Sequence, residues 1–166
     1  MTKQKGFSLI ELLIVVAIIL IIAAIAIPNL LRSRIAANES SAVGSVRTLT
    51  TAQVTYATTY GVGYAALANL GGAAPCVAAQ ATACLIDPVM TLGTKSGYTV
   101  DTQPNTGAGT TLSPNQGFET NASALSLSTG TRAFCSDQSG VIRYAVQLAP
   151  IGTAVNTCSG IATILQ

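Results

Sequence analysis

The sequence predicts an α+β fold in which one long N-terminal helix packs against a small antiparallel sheet. Residues 12–27 contain no polar side chain, which favours a membrane span or a helix buried on every side. Residues 35–56 then repeat apolar side chains at spacings of three, four and seven, as an amphipathic helix does. The C-terminal part alternates apolar and polar residues in short runs typical of strands.

The helix is expected to begin at Phe7 and to continue to about Thr58, where Gly61 and Gly63 would end it. Pro28 removes one backbone hydrogen bond, so the sequence predicts a kink or local melting near residues 25–30. One face of the second half should pack on the sheet, with the apolar residues Ile35, Ala42, Val46, Leu49 and Tyr56. Its polar complement should consist of Arg32, Arg34, Asn38, Glu39 and Arg47.

The sheet is expected to have four strands or fewer. Alternation predicts a strand at residues 98–101 and a second at 118–127. Residues 132–136 and 141–146 should form a hairpin whose turn, residues 137–140, begins with Asp137. The segment 107–114 is rich in Gly, Thr, Pro and Asn and should be an exposed loop.

Composition argues against several functions. The chain has 166 residues, of which only 8% are charged, and its formal net charge of +2 equals the contribution of Lys3 and Lys5. Bulk charge therefore does not support nucleic-acid binding. The sequence contains no histidine, the usual general base and the commonest transition-metal ligand. We expect neither an enzyme nor a bound cofactor.

Four cysteines lie beyond the apolar segment. An even number in a small exported domain predicts two disulfides. Three pairings are possible, and we favour Cys76 with Cys84 and Cys135 with Cys158 because both are local in sequence. No pair has the tight C-x-x-C spacing of a thiolate metal site, so no metal is expected.

Glu11 is an acid within a membrane-length apolar helix. Such an acid costs roughly 2.5–3.5 kcal/mol at the bilayer centre and is a functional hypothesis by default. An amine from another copy could neutralise it if the chain were cut between Gly6 and Phe7, because the new terminus would lie about one helical turn from Glu11. This arrangement predicts a self-assembling polymer.

The segment Lys5-Gly6-Phe7-Ser8-Leu9-Ile10-Glu11 and its apolar continuation to Pro28 resemble the class III signal of bacterial type IV pilins and type II secretion pseudopilins. The resemblance covers the first third of the chain. It implies that a prepilin peptidase cuts after Gly6 and methylates Phe7, and that Glu11 meets a neighbour's terminal amine. It also implies the pilin α+β architecture with a disulfide-bounded C-terminal region.

The expected organisation follows this resemblance. Residues 1–6 would be a leader, 7–28 a transmembrane and filament-core helix, 29–60 the amphipathic half and 61–166 the exported domain. A break at Pro28 would let subunits bend during assembly. The expected partners are further copies of the chain, the prepilin peptidase, the inner membrane before assembly, and the pilus or type II secretion machinery. The product would be an extracellular pilus for adhesion and motility, or alternatively a periplasmic pseudopilus.

Three other interpretations remain open at this stage. A basic start, an apolar core and the A-x-A-like residues 24–26 could mark an ordinary signal peptide. The helix could also be a permanent anchor for an external module. Finally, four acids could supply a calcium site, although no EF-hand-like run is present: Asp87, Asp101, Glu119 and Asp137.

Overall fold

A computed structural model describes residues 6–105, 110, 113–154 and 157–165. The chain divides into two compact units, Met1–Arg34 and Ile35–Gln166. Helix α1 spans Leu9–Tyr60. It begins two residues later than the predicted Phe7 and ends two residues after the predicted Thr58. Gly61 and Gly63 then take φ values of 68° and 83°, which favour glycine after a helix. Most of the predicted loop at 107–114 and residues 1–5 of the predicted leader lie outside the described residues.

Within the first unit, α1 remains helical through Pro28. The predicted local melting near residues 25–30 is absent from this structure, since every residue of that segment is assigned to the helix, whereas the alternative, a kink at Pro28, stays a prediction. Proline removes only one intrahelical hydrogen bond, and the neighbouring turns retain the helix.

The second unit contains a five-stranded antiparallel sheet with the order β1-β2-β3-β4-β5. Its strands are β1 Thr94–Lys95, β2 Tyr98–Pro104, β3 Phe118–Ala124, β4 Ala133–Asp137 and β5 Arg143–Ala145. Two short helices precede it, α2 Leu67–Leu70 and α3 Pro88–Thr91. The α+β prediction is confirmed, and so is the β4–β5 hairpin. The strand count is corrected from four to five, because two-residue β1 is too short to show alternation.

The core lies between α1 and the inner face of the sheet. Val46, Leu49 and Tyr56 of the predicted helix stripe are buried, and they share a cluster with Tyr98, Val100, Ala122 and Phe134 of the strands. Gln53 is also buried there; its amide donates to Thr102 Oγ1 at 2.8 Å and accepts from Ala65 N at 2.9 Å. A buried amide is tolerated because it is hydrogen-bonded.

The outer face of the sheet is covered as well. All seven residues of β3 are buried. Their sequence, FETNASA, places polar side chains at alternate positions, as in a sheet with one solvent-exposed face. A smaller apolar cluster of Ala133, Cys135, Ile151 and Cys158 forms part of this outer layer. The chain after β5 therefore makes a third layer.

Candidate assembly site and domain clamp

The residues flanking the predicted cleavage point are exposed and precede the helix. Gly6, Phe7 and Ser8 lie before Leu9, the first helical residue, and the side chain of Phe7 is 77% exposed. A Cβ added at Gly6 would meet no atom of the described residues within 4 Å. The segment therefore leaves room for an external enzyme to reach the Gly6–Phe7 bond.

Glu11 lies in the first turn of α1. Its Oε2 accepts a hydrogen bond from Ser8 N at 2.9 Å, and an acid at this end interacts favourably with the helix dipole. The carboxylate has a second oxygen, and the residue is exposed, so a cation from outside the chain can approach it. The structure contains one copy, and the pairing with a neighbour's amine stays a prediction.

The helix after Glu11 presents apolar side chains to the surroundings. Every large hydrophobic residue from Phe7 to Leu31 is at least 45% exposed. Fully burying one such side chain is worth about 1.5–3 kcal/mol, so this surface needs lipid or other protein around it. Among the described residues, α1 is the one helix long and apolar enough to cross a membrane.

A second site, which the sequence analysis missed, joins α1 to the loop before β4. Glu39 is only 5% exposed, and its Oε2 accepts from Nε of Arg132 at 2.7 Å and from the Nη2 atom at 2.5 Å. Its Oε1 accepts from Thr131 N at 3.0 Å. This Glu39–Arg132 clamp fixes the helix to the sheet.

The prediction that Glu39 belongs to the solvent-facing complement is therefore wrong. The apolar stripe runs through residues 35, 42, 46 and 49, and position 39 lies four after the first and three before the second. Residues at those spacings share one helix face. The available signal was a charged residue within an apolar stripe, which demands a buried partner.

The clamp is also packed by aromatic rings. The guanidinium of Arg132 lies 5.8 Å from the centroid of Phe134 and 5.4 Å from that of Tyr144, within cation–π range. Tyr98 donates from its hydroxyl to Arg132 O at 3.0 Å. Burial, followed by the nearby Glu39 charge, raises the pKa of Tyr98 to about 12. The tyrosine therefore stays protonated and remains a donor at any physiological pH.

Burial alone would raise the pKa of Glu39, but the hydrogen bonds from Arg132 and Thr131 outweigh it, and the net pKa lies below the usual 4.5. A depressed pKa in the folded state adds stability above the unfolded pKa, and that stability is lost as pH falls through the folded pKa. We expect the full-length protein to lose unfolding free energy progressively below about pH 4.5. Urea titrations in detergent between pH 7 and pH 3 measure this loss.

Glu39→Gln is the matched variant, because it keeps the shape and removes the charge. We expect it to lower the unfolding free energy by about 1.5–3 kcal/mol at pH 7, the range for hydrogen bonds to charged groups. The difference from the native chain should shrink as pH falls through the lowered folded-state pKa of Glu39, because the carboxyl then becomes protonated in both states. A difference that is constant with pH would contradict the charged clamp.

Two of the acids considered as calcium ligands, Asp87 and Asp137, accept hydrogen bonds from backbone N–H groups. Asp87 caps α3 by accepting from Met90 N at 2.7 Å and pairs with Lys95 at 3.0 Å; the Lys95 and Met90 hydrogen bonds lower its pKa. Asp137 Oδ1 accepts from Ser139 N at 2.8 Å, the turn role expected from sequence.

The other two candidate calcium ligands are Asp101 and Glu119. Asp101 accepts from Thr102 N at 2.9 Å, and Glu119 is buried on the outer face of β3, opposite Asp137. Within the described part of the chain, no three His, Cys, Asp or Glu residues come together as a metal site requires.

The structure joins Cys76 to Cys84 and Cys135 to Cys158, with Cα–Cα distances of 6.0 and 5.8 Å. This is the pairing that sequence locality favours. Both members of the second pair are fully buried, between β4 and the outer layer. Gly152, at φ 65°, makes room for it: a Cβ there would lie 2.7 Å from Cys135 Cβ.

Comparison with known proteins found matches that include the N-terminal segment. Residues 1–27 match the family model "Prokaryotic N-terminal methylation motif". The chain therefore carries an N-terminal methylation motif. It is 48% identical over 54 residues to the type IV major pilin protein PilA of Myxococcus xanthus, a match covering 32% of this chain and 24% of that protein. It is 62% identical over 40 residues to the type IV wide pilus major component PilA4 of Thermus thermophilus, covering 24% of this chain and 30% of that one.

The matched segments thus span less than a third of either relative. No solved structure matches the chain significantly. The methylation motif covers residues 1–27, which contain Gly6, Phe7 and Glu11.

Proposed function

We propose that this protein is the structural subunit of a type IV pilus. The observation that carries the proposal is the methylation motif followed by a helix whose large apolar side chains are exposed as far as Leu31. The two curated relatives are named as major pilus components, which favours a pilus over a secretion pseudopilus.

In this proposal the precursor is anchored in the inner membrane by α1, with the second unit outside. A prepilin peptidase cuts after Gly6, removing Lys3 and Lys5, and methylates the new amine of Phe7. The removal of positive leader charge and the creation of a positive terminus beside the apolar helix occur in the same step.

Assembly then moves the apolar helices from lipid into a helical stack. The large exposed surface from Phe7 to Leu31 is buried against other copies, and side-chain packing holds the fibre. Each methylated amine meets Glu11 of a neighbour, which sets the axial register, because an unpaired buried charge is strongly disfavoured. Head-to-tail contacts that do not close produce a filament.

The role is structural rather than catalytic. Cys135–Cys158, Cys76–Cys84 and the Glu39–Arg132 clamp stabilise the unit that would form the outer surface of the fibre. Disulfides suit the periplasm and the cell surface, where the proposal places this unit.

Processing is tested by Gly6→Val. None of the described residues lies within 4 Å of a Cβ at this position, so the described fold should be unchanged and we expect the effect to belong to recognition by the peptidase. We expect uncut precursor to accumulate in the membrane and surface fibres to be lost, as measured by mass spectrometry of membrane and sheared fractions.

Gly44→Ala is the control, since in the described part of the chain no packed neighbour lies within 4 Å of a Cβ there and Gly44 is distant from the cut in sequence. It should be processed normally. Fibres of normal length whose subunits begin at Phe7 in the Gly6→Val strain would contradict the proposed cleavage.

A further inference from the structure

The loop between β3 and β4 presents two large apolar side chains to solvent. Leu125 is 60% exposed and Leu127 is 67% exposed. Burial of either side chain in an apolar environment would be favourable. Single exposed leucines are common on proteins, but here two occur at alternate positions of one short loop.

The loop has a defined backbone that holds these side chains outward. Leu125 N donates to Gly97 O at 3.0 Å and Gly130 N to Ser126 O at 3.1 Å. Ser126 N donates to Thr129 Oγ1 at 3.1 Å. These bonds fix the loop, so the leucines are displayed by a folded turn rather than by a loose segment.

The loop lies at the end of the second unit where the chain arrives from the apolar helix. Asn38 Nδ2 donates to Thr129 O at 3.0 Å, and Ser41 Oγ contacts Ser96 Oγ of the adjacent β1–β2 turn at 2.9 Å. Asn38 follows Leu31, the last residue of the exposed apolar run, by seven residues. The loop therefore contacts the part of the second unit that follows the apolar run most closely in sequence.

The charges at this end suit a phospholipid surface. The carboxylate of Glu39 is neutralised by Arg132, and that of Asp87 by Lys95. In sequence, Arg32 and Arg34 lie between Leu31 and Asn38. Basic side chains that flank a membrane span are suited to contact lipid phosphates. Repulsion from anionic headgroups is therefore weak.

From these observations we propose that residues 125–128 form a second membrane contact of the anchored precursor, with Leu125 and Leu127 inserted into the interfacial layer of the bilayer. The inference rests on the membrane stage of the proposed function. The contact orients the second unit against the membrane before assembly, and it must be broken when the subunit leaves the bilayer.

The chain has no tryptophan, so single-tryptophan variants report one position each. Leu127→Trp tests the loop. Val77→Trp is the control, because Val77 is 79% exposed and lies in the Cys76–Cys84 loop, which contacts the far end of α1 through the Tyr56–Gln80 hydrogen bond. Leu20→Trp reports insertion of the apolar helix itself.

The full chain is reconstituted into phosphatidylethanolamine–phosphatidylglycerol vesicles with or without brominated acyl chains. We expect Leu127→Trp emission to be blue-shifted and quenched about twofold more strongly than that of Val77→Trp, since tryptophan in the interface lies near the acyl boundary. Leu20→Trp should be quenched most.

Strong quenching at Leu20→Trp with Leu127→Trp no more quenched than Val77→Trp would overturn the loop contact and leave the anchored precursor standing. Absence of quenching at Leu20→Trp would overturn both the membrane stage and the loop contact. A blue shift at Leu127→Trp that grows with protein-to-lipid ratio without quenching would mean that the loop faces another copy of the chain, which also overturns the proposal.

Discussion

Replacing Glu11 by alanine is expected to abolish surface fibres while leaving cleavage after Gly6 intact. The variant removes the partner of an amine that assembly buries, and breaking a buried ion pair typically costs about 3–5 kcal/mol. The cost recurs at every subunit of the fibre. Mature subunits beginning at Phe7 should therefore accumulate in the membrane, as measured by mass spectrometry and by electron microscopy of sheared material.

Glu11→Gln separates charge pairing from local helix capping. Glu11 Oε2 accepts from Ser8 N, so alanine also deletes a helix-capping hydrogen bond, whereas the glutamine carbonyl can still accept it. We expect Glu11→Gln to fail in assembly nearly as severely as Glu11→Ala. Normal fibres from the glutamine variant would show that the carboxylate serves the helix start and not a neighbour's amine.

Removing the Cys135–Cys158 disulfide by alanine substitutions is expected to cost about 3–4 kcal/mol of unfolding free energy, from the chain entropy of a loop of this length. The bond closes a sequence separation of 23 residues, and it ties the outer layer to β4. We expect a lower urea midpoint and faster proteolysis after β5 in the full-length protein.

The Cys76–Cys84 pair provides the comparison. It closes a separation of only 8 residues, and Cys76 is exposed, so its removal by alanine should cost less, about 2–3 kcal/mol on the same chain-entropy argument. An equal or larger loss from the Cys76–Cys84 variant would contradict the structural role assigned to the outer layer.

The sequence predicts the elements whose side chains repeat regularly. The stripe at Val46, Leu49 and Tyr56 identifies the face of α1 that meets the sheet, and alternation identifies β2 and the β4–β5 hairpin. Gly61 marks the helix end because its positive φ suits glycine. Cleavage and assembly residues are predicted by the short motif around Gly6 and Glu11, in which the residue types themselves carry the chemistry.

The remaining features depend on contacts between distant parts of the chain. From the local sequence, Glu39 resembles a surface acid. In the folded protein it is buried beneath Arg132, which is 93 residues away in sequence. The polar positions of β3, such as Asn121, look solvent-facing because nothing local reveals that the chain after β5 covers them. Helix propensity likewise underestimates α1 at Pro28, where neighbouring turns sustain the helix.

The most direct test of the account is a density map of purified fibres at a resolution that shows side chains. The account predicts that the methylated amine of each Phe7 lies within 4 Å of the Glu11 carboxylate of an adjacent subunit, the distance of an ion pair. A map in which Glu11 faces water, or binds only Ser8 N of its own chain, would contradict it.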